Sequence, residues 1–473
     1  MWRPNFTLSP ADITDGPLLR ALLVLSTPLL VQNFVQVVVQ IVDLIFLGRL
    51  SGDAVAAVGL AAPAMALLFS LSIFIPYVGT QIRVSQRIGG DNLAGARQSF
   101  GAGIYIALGM GVLLGALAFV AARPLTSLLV SANPMSVDGT VPAMAVAYLG
   151  VIALGLPLIA LGDTLEAGLV AWGDSRASLW MNLTAVVVNI VLDPLLIFGY
   201  GPIEGFGVAG AALATVIGYT TGMGLGLVFI LRGRNGGMLS DQSFVFDVAE
   251  LRSIFSVGLP TAVQQSANQI VRLIIVVVVF AVGGVAGIAA YVVGARVASV
   301  AFIPAQGLQQ AAQSIVGQNL GAKNLTRAKQ TTWLGVRLAA GGLGLIGLVQ
   351  WLFPVALTTL FVPELSADSL ALSVEYLRIL AYGYPALGAI YLFQAGFNGA
   401  SRTKVSMYAS LIQYWGVRLP IAAVGGLVLT FGMDAVFWAV TLSNIAAAVG
   451  LGVYFYHSTS SGMFKRASAS AAD

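Results

Sequence analysis

Residues 28–47 read PLLVQNFVQVVVQIVDLIFL, an apolar stretch that carries evenly spaced amides and one acid. Twenty helical residues are about 30 Å long, which matches the hydrocarbon core of a bilayer. Gln32, Gln36 and Gln40 recur every four residues and therefore share one helix face. Asp43 continues that face at i+3. Because a carboxylate inside a membrane span costs about 2.5–3.5 kcal/mol, we interpret Asp43 as part of a functional site.

Pro28 begins the same stretch. A proline inside a helix removes one backbone hydrogen bond and kinks or loosens the helix there. We therefore predict a hinge at Pro28. An acid and a hinge on one helix suggest a moving part that is driven by protons or other ions.

The composition is that of a membrane protein. The chain has 473 residues, of which 58% are hydrophobic and 9% are charged, whereas a soluble domain has about 25% charged residues. Apolar segments of more than 20 residues predict an all-α polytopic protein. Cysteine is absent, so disulfides are excluded. We predict twelve spans: 17–47, 54–82, 98–121, 139–171, 176–199, 207–231, 252–281, 285–316, 328–353, 367–398, 404–429 and 433–456.

Basic residues divide unevenly between the alternate connections. One side holds 16 of them: Arg3, Arg20, Arg83, Arg87, Arg97, Arg176, Arg232, Arg234, Arg252, Lys323, Arg327, Lys329, Arg402, Lys404, Lys465 and Arg466. The opposite side holds Arg49 and Arg123. The positive-inside rule then predicts a plasma-membrane protein with both termini in the cytoplasm.

The two halves of the chain repeat. Residues 85–99, SQRIGGDNLAGARQS, match residues 317–331, GQNLGAKNLTRAKQT, and the same offset pairs Pro28 with Pro260. Six spans in each half predict two parallel six-helix lobes, with the substrate path between them. We predict an N-terminal lobe at 1–231, a cytoplasmic linker with an interfacial segment at 232–251, a C-terminal lobe at 252–457 and a disordered cytoplasmic tail at 458–473.

A second acid lies at a depth that matches Asp43. Asp193 is late in span 5, as Asp43 is late in span 1, and both spans run outward. Asn189 lies one turn before Asp193, and Thr215 lies at a similar depth in span 6. We predict that these four residues form one polar pocket that couples transport to an ion. A Na⁺ site could form at Asp43 and Asp193.

Further polar residues lie inside the spans. The predicted substrate cavity consists of Gln36, Gln40, Asp43, Asn189, Asp193 and Arg272. Arg272 occupies the place in span 7 that corresponds to Gln40, while the counterpart of Asp43 is Ile275. Two inner acids, Asp163 and Glu166, either line an inner vestibule or pair with a cytoplasmic arginine.

Enzyme motifs are missing from the sequence. It contains no HExxH and no GxxxxGK[ST], and the single histidine, His457, has no partner for a metal cluster. We predict a transporter without an organic cofactor, driven by a gradient of H⁺ or Na⁺ or by the gradient of its substrate. An intramembrane enzyme would have to use Asp43 and Asp193 as its catalytic pair.

Five stretches together resemble the MATE (multidrug and toxic compound extrusion) transporters. They are VDLIFLGRLSGDAVAAVGLAAP (42–63), VSQRIGGDNLAGAR (84–97), WGDSRASLWMNLTAVVVNIVLDPLLIFG (172–199), GFGVAGAALATVIG (205–218) and GQNLGAKNLTRA (317–328). The resemblance implies two six-helix lobes that form a V, and export of cationic or amphipathic small molecules in exchange for H⁺ or Na⁺. Expected partners are these compounds and membrane lipids, with no nucleic acid, and the expected state is a monomer.

The resemblance is strongest to the DinF-type branch, in which helices 1 and 5 carry the N-lobe acids that Asp43 and Asp193 match. The chain departs from other relatives at Trp172, where many carry a Glu, and at Asn268, where the NorM-type branch has an acid. These departures concentrate the expected coupling on the N-lobe. The alternative is a flippase for lipid-linked oligosaccharides, with Arg272 and Arg296 as its candidate phosphate-binding residues.

Overall fold

The structure is a computed structural model. It describes residues 8–131, 140–201, 203–233, 237–362 and 365–472. Arg3 and Arg234, two of the basic residues predicted to be cytoplasmic, lie outside these ranges.

The first half of the chain forms helices joined by short connections, with one two-stranded antiparallel hairpin between α7 and α8. Its elements are α1 (Pro10–Thr14), α2 (Leu18–Leu50), α3 (Gly52–Ser72), α4 (Phe74–Gly89), α5 (Leu93–Ser131), α6 (Thr140–Ala171), α7 (Ser175–Phe198), β1 (Gly199–Tyr200), β2 (Ile203–Glu204) and α8 (Val208–Leu231).

The second half begins with a 3₁₀ helix at Asp241–Phe244 and continues as helices. They are α9 (Val248–Gly321), α10 (Leu325–Leu352), α11 (Pro354–Phe361), α12 (Ala367–Gly399), α13 (Thr403–Leu411), a π-helical segment (Ile412–Arg418), α14 (Leu419–Ala423), a second π-helical segment (Val424–Val428), α15 (Gly432–Ser460) and α16 (Met463–Ala472).

The twelve predicted spans are confirmed. Ten helical segments of the described residues are long and apolar enough to cross a membrane. One of them, α9, has 74 residues and contains two spans, because its backbone leaves helical geometry at Gly284 (φ 56°, ψ −148°), a conformation that glycine adopts without steric cost. The twelfth span, α12, is less apolar because several tyrosines and glycines interrupt it, yet its 33 residues are long enough to cross.

The helices pack into two compact units. The first consists mainly of Val31–Ser266, and the second of Ala11–Leu30 with Ala267–Asp473. Helix α2 is therefore divided between the units within one turn of Pro28. The two packing units meet at residues 30/31 and 266/267, whereas the predicted lobes end at 231 and begin at 252. Because packing units and membrane lobes are different divisions of the chain, the lobe limits remain a prediction.

Each unit has its own core. In the first unit, Phe100 and Trp172 pack edge to face, 6.1 Å apart, among buried residues of α4, α6 and α7. In the second unit, Tyr376 stacks on Phe437 with the ring centroids 4.4 Å apart. Fully buried aromatic side chains of this size remove large apolar areas from the surroundings and fix the packing of neighbouring helices.

The predicted disorder of the tail is wrong. Residues Met463–Ala472 form α16, and both Met463 and Phe464 are buried. Phe464 packs edge to face on Phe455 at 5.8 Å. The serine and alanine content suggested disorder, but one methionine and one aromatic residue give this short helix an apolar face that docks on the end of α15.

Candidate functional site

The candidate site forms where α2, α7 and α8 meet in the first unit. Glycines on α8 allow the close approach: a Cβ at Gly218 would lie 2.6 Å from the carbonyl oxygen of Ala185, and one at Gly222 would lie 2.5 Å from that of Met181. Small residues four apart are a common way for membrane helices to pack tightly. This packing brings Thr215 of α8 beside Asn189 of α7.

Four predicted residues meet in this site. With the amide of Asn189 oriented to satisfy both neighbours, its nitrogen donates to Oδ1 of Asp43 (3.1 Å) and its oxygen accepts from the backbone N–H of Thr215 (3.2 Å). The carboxyl group of Asp193 lies within hydrogen-bonding reach of that of Asp43. Asp193 is completely buried, and neither of its oxygens receives a hydrogen bond from a donor group of the described residues.

The electrostatics of this arrangement favour the uptake of a proton or a cation. No salt bridge joins Asp43 or Asp193 to a basic side chain of the described residues. Two ionised carboxylates in contact repel each other, and a buried charge without a partner is costly. A shared proton would satisfy the pair. Na⁺ would serve equally, since carboxylate and amide oxygens are suitable ligands for hard cations.

The sequence reasoning missed one member of this site. Tyr148 of α6 is buried, and it lies close enough to both Asp43 and Asp193 to interact with them electrostatically. Its phenol could donate to a carboxylate or accept from a protonated one. Its only sequence signal was a polar aromatic residue in the apolar first half of its span.

The other predicted cavity residues are spread more widely. Gln36 donates to the phenol oxygen of Tyr219 at 2.6 Å. Gln40 is exposed, and Arg272 is an exposed residue of the second unit whose Nη1 lies 3.5 Å from Oε1 of Gln269. The structure thus joins the coupling residues in one place. None of the described hydrogen bonds connects Gln36 or Gln40 to them, and Arg272 belongs to the other unit.

Glu166, one of the two inner acids, does not pair with an arginine of the described residues. Glu166 is buried and accepts from the side-chain amides of Gln32 and Asn182, each at 2.7 Å. Gln32 in turn accepts from the hydroxyl of Ser178 at 2.7 Å. The predicted pairing of Glu166 with a cytoplasmic arginine is therefore wrong within the described part of the chain. A network of neutral donors ties this acid to the glutamine face of α2.

Twelve membrane-crossing helices in two units, the first of which holds the carboxyl pair of Asp43 and the fully buried Asp193, define a polytopic transporter. The sequence model of the MatE family matches residues 28–195 and 260–424. The chain belongs to this family, whose members are transporters and not enzymes.

Named relatives and solved structures agree with this assignment. An FAD transporter of Shewanella oneidensis is 27% identical over 450 residues, which cover 94% of this chain and 95% of the relative. The probable multidrug resistance protein YpnP of Bacillus subtilis is 27% identical over 437 residues, 90% and 94% of the two chains. The fold is similar to that of a MOP superfamily transporter from Pyrococcus furiosus, with a TM-score of 0.87 and 22% identity over 97% of this chain and 99% of the other.

Proposed function

We propose that the protein is a secondary antiporter that exports small organic molecules in exchange for H⁺ or Na⁺, with coupling at Asp43 and Asp193. One observation carries the proposal: Asp193 is fully buried against Asp43 without any basic partner among the described residues. Such a pair has to bind a cation or proton. Cationic or amphipathic compounds are the substrates that the family resemblance implies.

Exchange requires that ion and substrate favour different states of the protein. With the pair ionised, the site attracts a cationic substrate. Uptake of H⁺ or Na⁺ from outside removes that attraction, and bending of α2 at Pro28 then reduces the space beside the pair. The division of α2 between the two packing units within one turn of Pro28 supports a hinge at this place.

Transport in proteoliposomes with imposed pH or Na⁺ gradients tests this function. Wild type should expel a fluorescent cation under one of the two gradients. In Asp43→Asn and in Asp193→Asn the efflux rate should fall about tenfold or more, because a charge-assisted contact is removed. Asp53→Asn, which changes an exposed acid of α3, is the matched control. Full gradient-driven efflux by Asp43→Asn would refute the proposal.

The name of the Shewanella relative adds FAD as a second substrate to include in the same assay. An uncoupler separates the antiporter from the alternative, a flippase for lipid-linked oligosaccharides. Efflux through the antiporter should collapse when the gradient is dissipated. Flipping of a lipid analogue that continues without any gradient would favour the flippase.

We propose a monomer in the plasma membrane with both termini in the cytoplasm. The lobes would comprise residues 1–231 and 252–457, joined by a cytoplasmic linker at 232–251, with residues 458–473 following the second lobe. The excess of basic residues in one set of connections supports this orientation.

A further inference from the structure

A buried arginine of the second unit has only neutral partners. Arg418 lies at the end of the first π-helical segment and is 8% exposed. Its Nε donates to Oγ of Ser443 (2.9 Å), and its Nη2 donates to Oδ1 of Asn444 (2.7 Å). Its guanidinium lies over the ring of Tyr414, 4.1 Å from the centroid. Three neutral groups therefore orient this cation, and none of them neutralises it.

A second arginine converges on the same tyrosine. Arg272 lies close enough to Tyr414 to interact with it electrostatically, as does Arg418, whose guanidinium covers the tyrosine ring. Arg272 is exposed, whereas Arg418 is buried beneath the tyrosine, so the pair presents one open side. Two guanidinium groups that share one neutral phenol repel each other, and this repulsion is relieved by an anion.

No carboxylate fills that role within the described part of the chain. None of the salt bridges there involves Arg272 or Arg418. Two further tyrosines, Tyr291 and Tyr391, lie close enough to the arginine pair to interact with it electrostatically. The surroundings of the two cations are thus ring faces, hydroxyls and amides.

The local backbone is also unusual. Gln413, Tyr414 and Arg418 all belong to the π-helical segment Ile412–Arg418. π-Helical turns are rare, and they occur frequently at functional sites because the extra residue per turn redirects side chains. Here the turn places Tyr414 and Arg418 together, and Gln413 donates to Asn444 at 2.8 Å, which holds the acceptor of Arg418 in place.

We propose that Arg272, Arg418 and Tyr414 form an anion-binding subsite that takes the phosphate or carboxylate of an amphipathic aromatic compound. A planar guanidinium binds such a group through two parallel hydrogen bonds. The tyrosines around it offer ring faces on which an aromatic body stacks. The inference rests on the proposed export of small organic molecules and specifies the chemistry of one class of substrate, which an acid-lined site alone would reject.

Binding to the purified full chain tests the subsite without any gradient. Riboflavin and flavin mononucleotide share one fluorescent ring and differ by a phosphate, so quenching of flavin fluorescence in phosphatidylcholine nanodiscs isolates the anionic group. We expect wild type to bind the mononucleotide about tenfold more tightly than riboflavin. Arg272→Gln and Arg418→Gln should abolish this difference. Arg337→Gln, which changes an exposed arginine of α10, should preserve it.

A second arm tests a lipid headgroup as the source of the anion. Thermal unfolding is measured in phosphatidylglycerol and phosphatidylcholine nanodiscs, and extra stability in the anionic lipid that disappears in Arg272→Gln would assign the subsite to the lipid. Arg418→Lys, which keeps the charge, controls for loss of folding. Equal binding of the two flavins, or no mononucleotide binding at about 1 mM, together with no effect of lipid charge, would overturn the proposal. Because no gradient is used, this result is independent of the Asp43→Asn assay.

Discussion

Asp193 is the residue whose surroundings are most informative about function. Its carboxyl group is fully buried and receives no hydrogen bond from a described donor. Because such a group lowers stability, its presence points to a role in function. The corresponding helix pair of the second unit lacks this feature, since the counterpart of Asp43 is Ile275, which is 1% exposed. The repeat therefore retains the helix and replaces the acid with a core residue, which concentrates the proposed coupling in the first unit.

The companions of the carboxyl pair should contribute unequally. The amide of Asn189 donates to Asp43, whereas Thr215 meets Asn189 through its backbone N–H and directs its hydroxyl to the carbonyl oxygen of Ala211 at 3.0 Å. We expect Asn189→Ala to lower gradient-driven transport about tenfold or more, because a hydrogen bond to a charged group contributes about 1.5–3 kcal/mol. Thr215→Val should lower it less than about threefold, since the backbone contact remains. Initial rates in proteoliposomes decide this, and equal losses in both variants would contradict it.

Glu166 should matter for stability. Its two carboxylate oxygens accept from Gln32 and Asn182, and Glu166→Gln replaces one acceptor with a donor that faces another donor. We expect a loss of about 1–3 kcal/mol in the free energy of unfolding. Thermal unfolding in detergent measures it, with Glu204→Gln, an exposed hairpin residue, as the control. Unchanged stability would mean that the network is not a structural element.

At the scale of single helices, Pro28 is predicted to set the flexibility of α2. The proline interrupts the hydrogen bonding of a 33-residue helix at the point where its packing passes from one unit to the other. Pro28→Ala restores a backbone donor and stiffens the helix, so we expect a folded protein with a reduced transport rate. Pro63→Ala, inside α3 and within a single unit, is the matched control. Transport at the wild-type rate in Pro28→Ala would show that the mechanism does not require a hinge at Pro28.

The start of α9 is fixed to the first unit by a buried ion pair. Glu250 accepts from Nη2 of Arg87 at 2.7 Å and from the hydroxyl of Ser99 at 2.6 Å, and both charged residues are less than 10% exposed. Glu250→Ala leaves the charge of Arg87 buried without this acidic partner, and removal of one member of such a pair typically costs about 3–5 kcal/mol. We expect a markedly lower unfolding temperature.

Asp241→Ala, which removes an exposed acid of the adjacent 3₁₀ helix, should have little effect on the same measurement. If both alanine variants unfolded at the same temperature as wild type, the contact would contribute nothing to holding the linker. Tyr105 supports the attachment, since its hydroxyl donates to the carbonyl oxygen of Phe244 at 3.0 Å.

Periodicity and length were sufficient to predict the helices, and the depth of Asp43 and Asp193 was sufficient to predict that they meet. The rest depended on packing that a single sequence does not reveal. The contact of Gln32 with Glu166 joins residues 134 positions apart, and the π-helical turn around Tyr414 has no sequence signature. The helix α16 depends on Phe464 docking against Phe455, so its composition alone was misleading.

At the scale of the whole molecule, the two units carry opposite chemistry on a repeated frame. The first holds a carboxyl pair without a basic partner, and the second holds an arginine pair without an acidic one among the described residues. The proposed ion-coupling pair and the proposed anion-binding subsite are thus each confined to one unit of a duplicated fold.

The orientation of the chain is open to a direct test, because the natural sequence has no cysteine and each introduced thiol is therefore the only one. Ser9 and Ser461 lie near the termini and Ser127 near Arg123, and all three are exposed. With both termini in the cytoplasm, a membrane-impermeant maleimide should label Ser127→Cys in intact cells and should label Ser9→Cys and Ser461→Cys only after permeabilisation. The cysteine-free parent provides the blank. Labelling of Ser461→Cys from outside would invert the topology, and with it the direction from which Asp43 and Asp193 take up their ion.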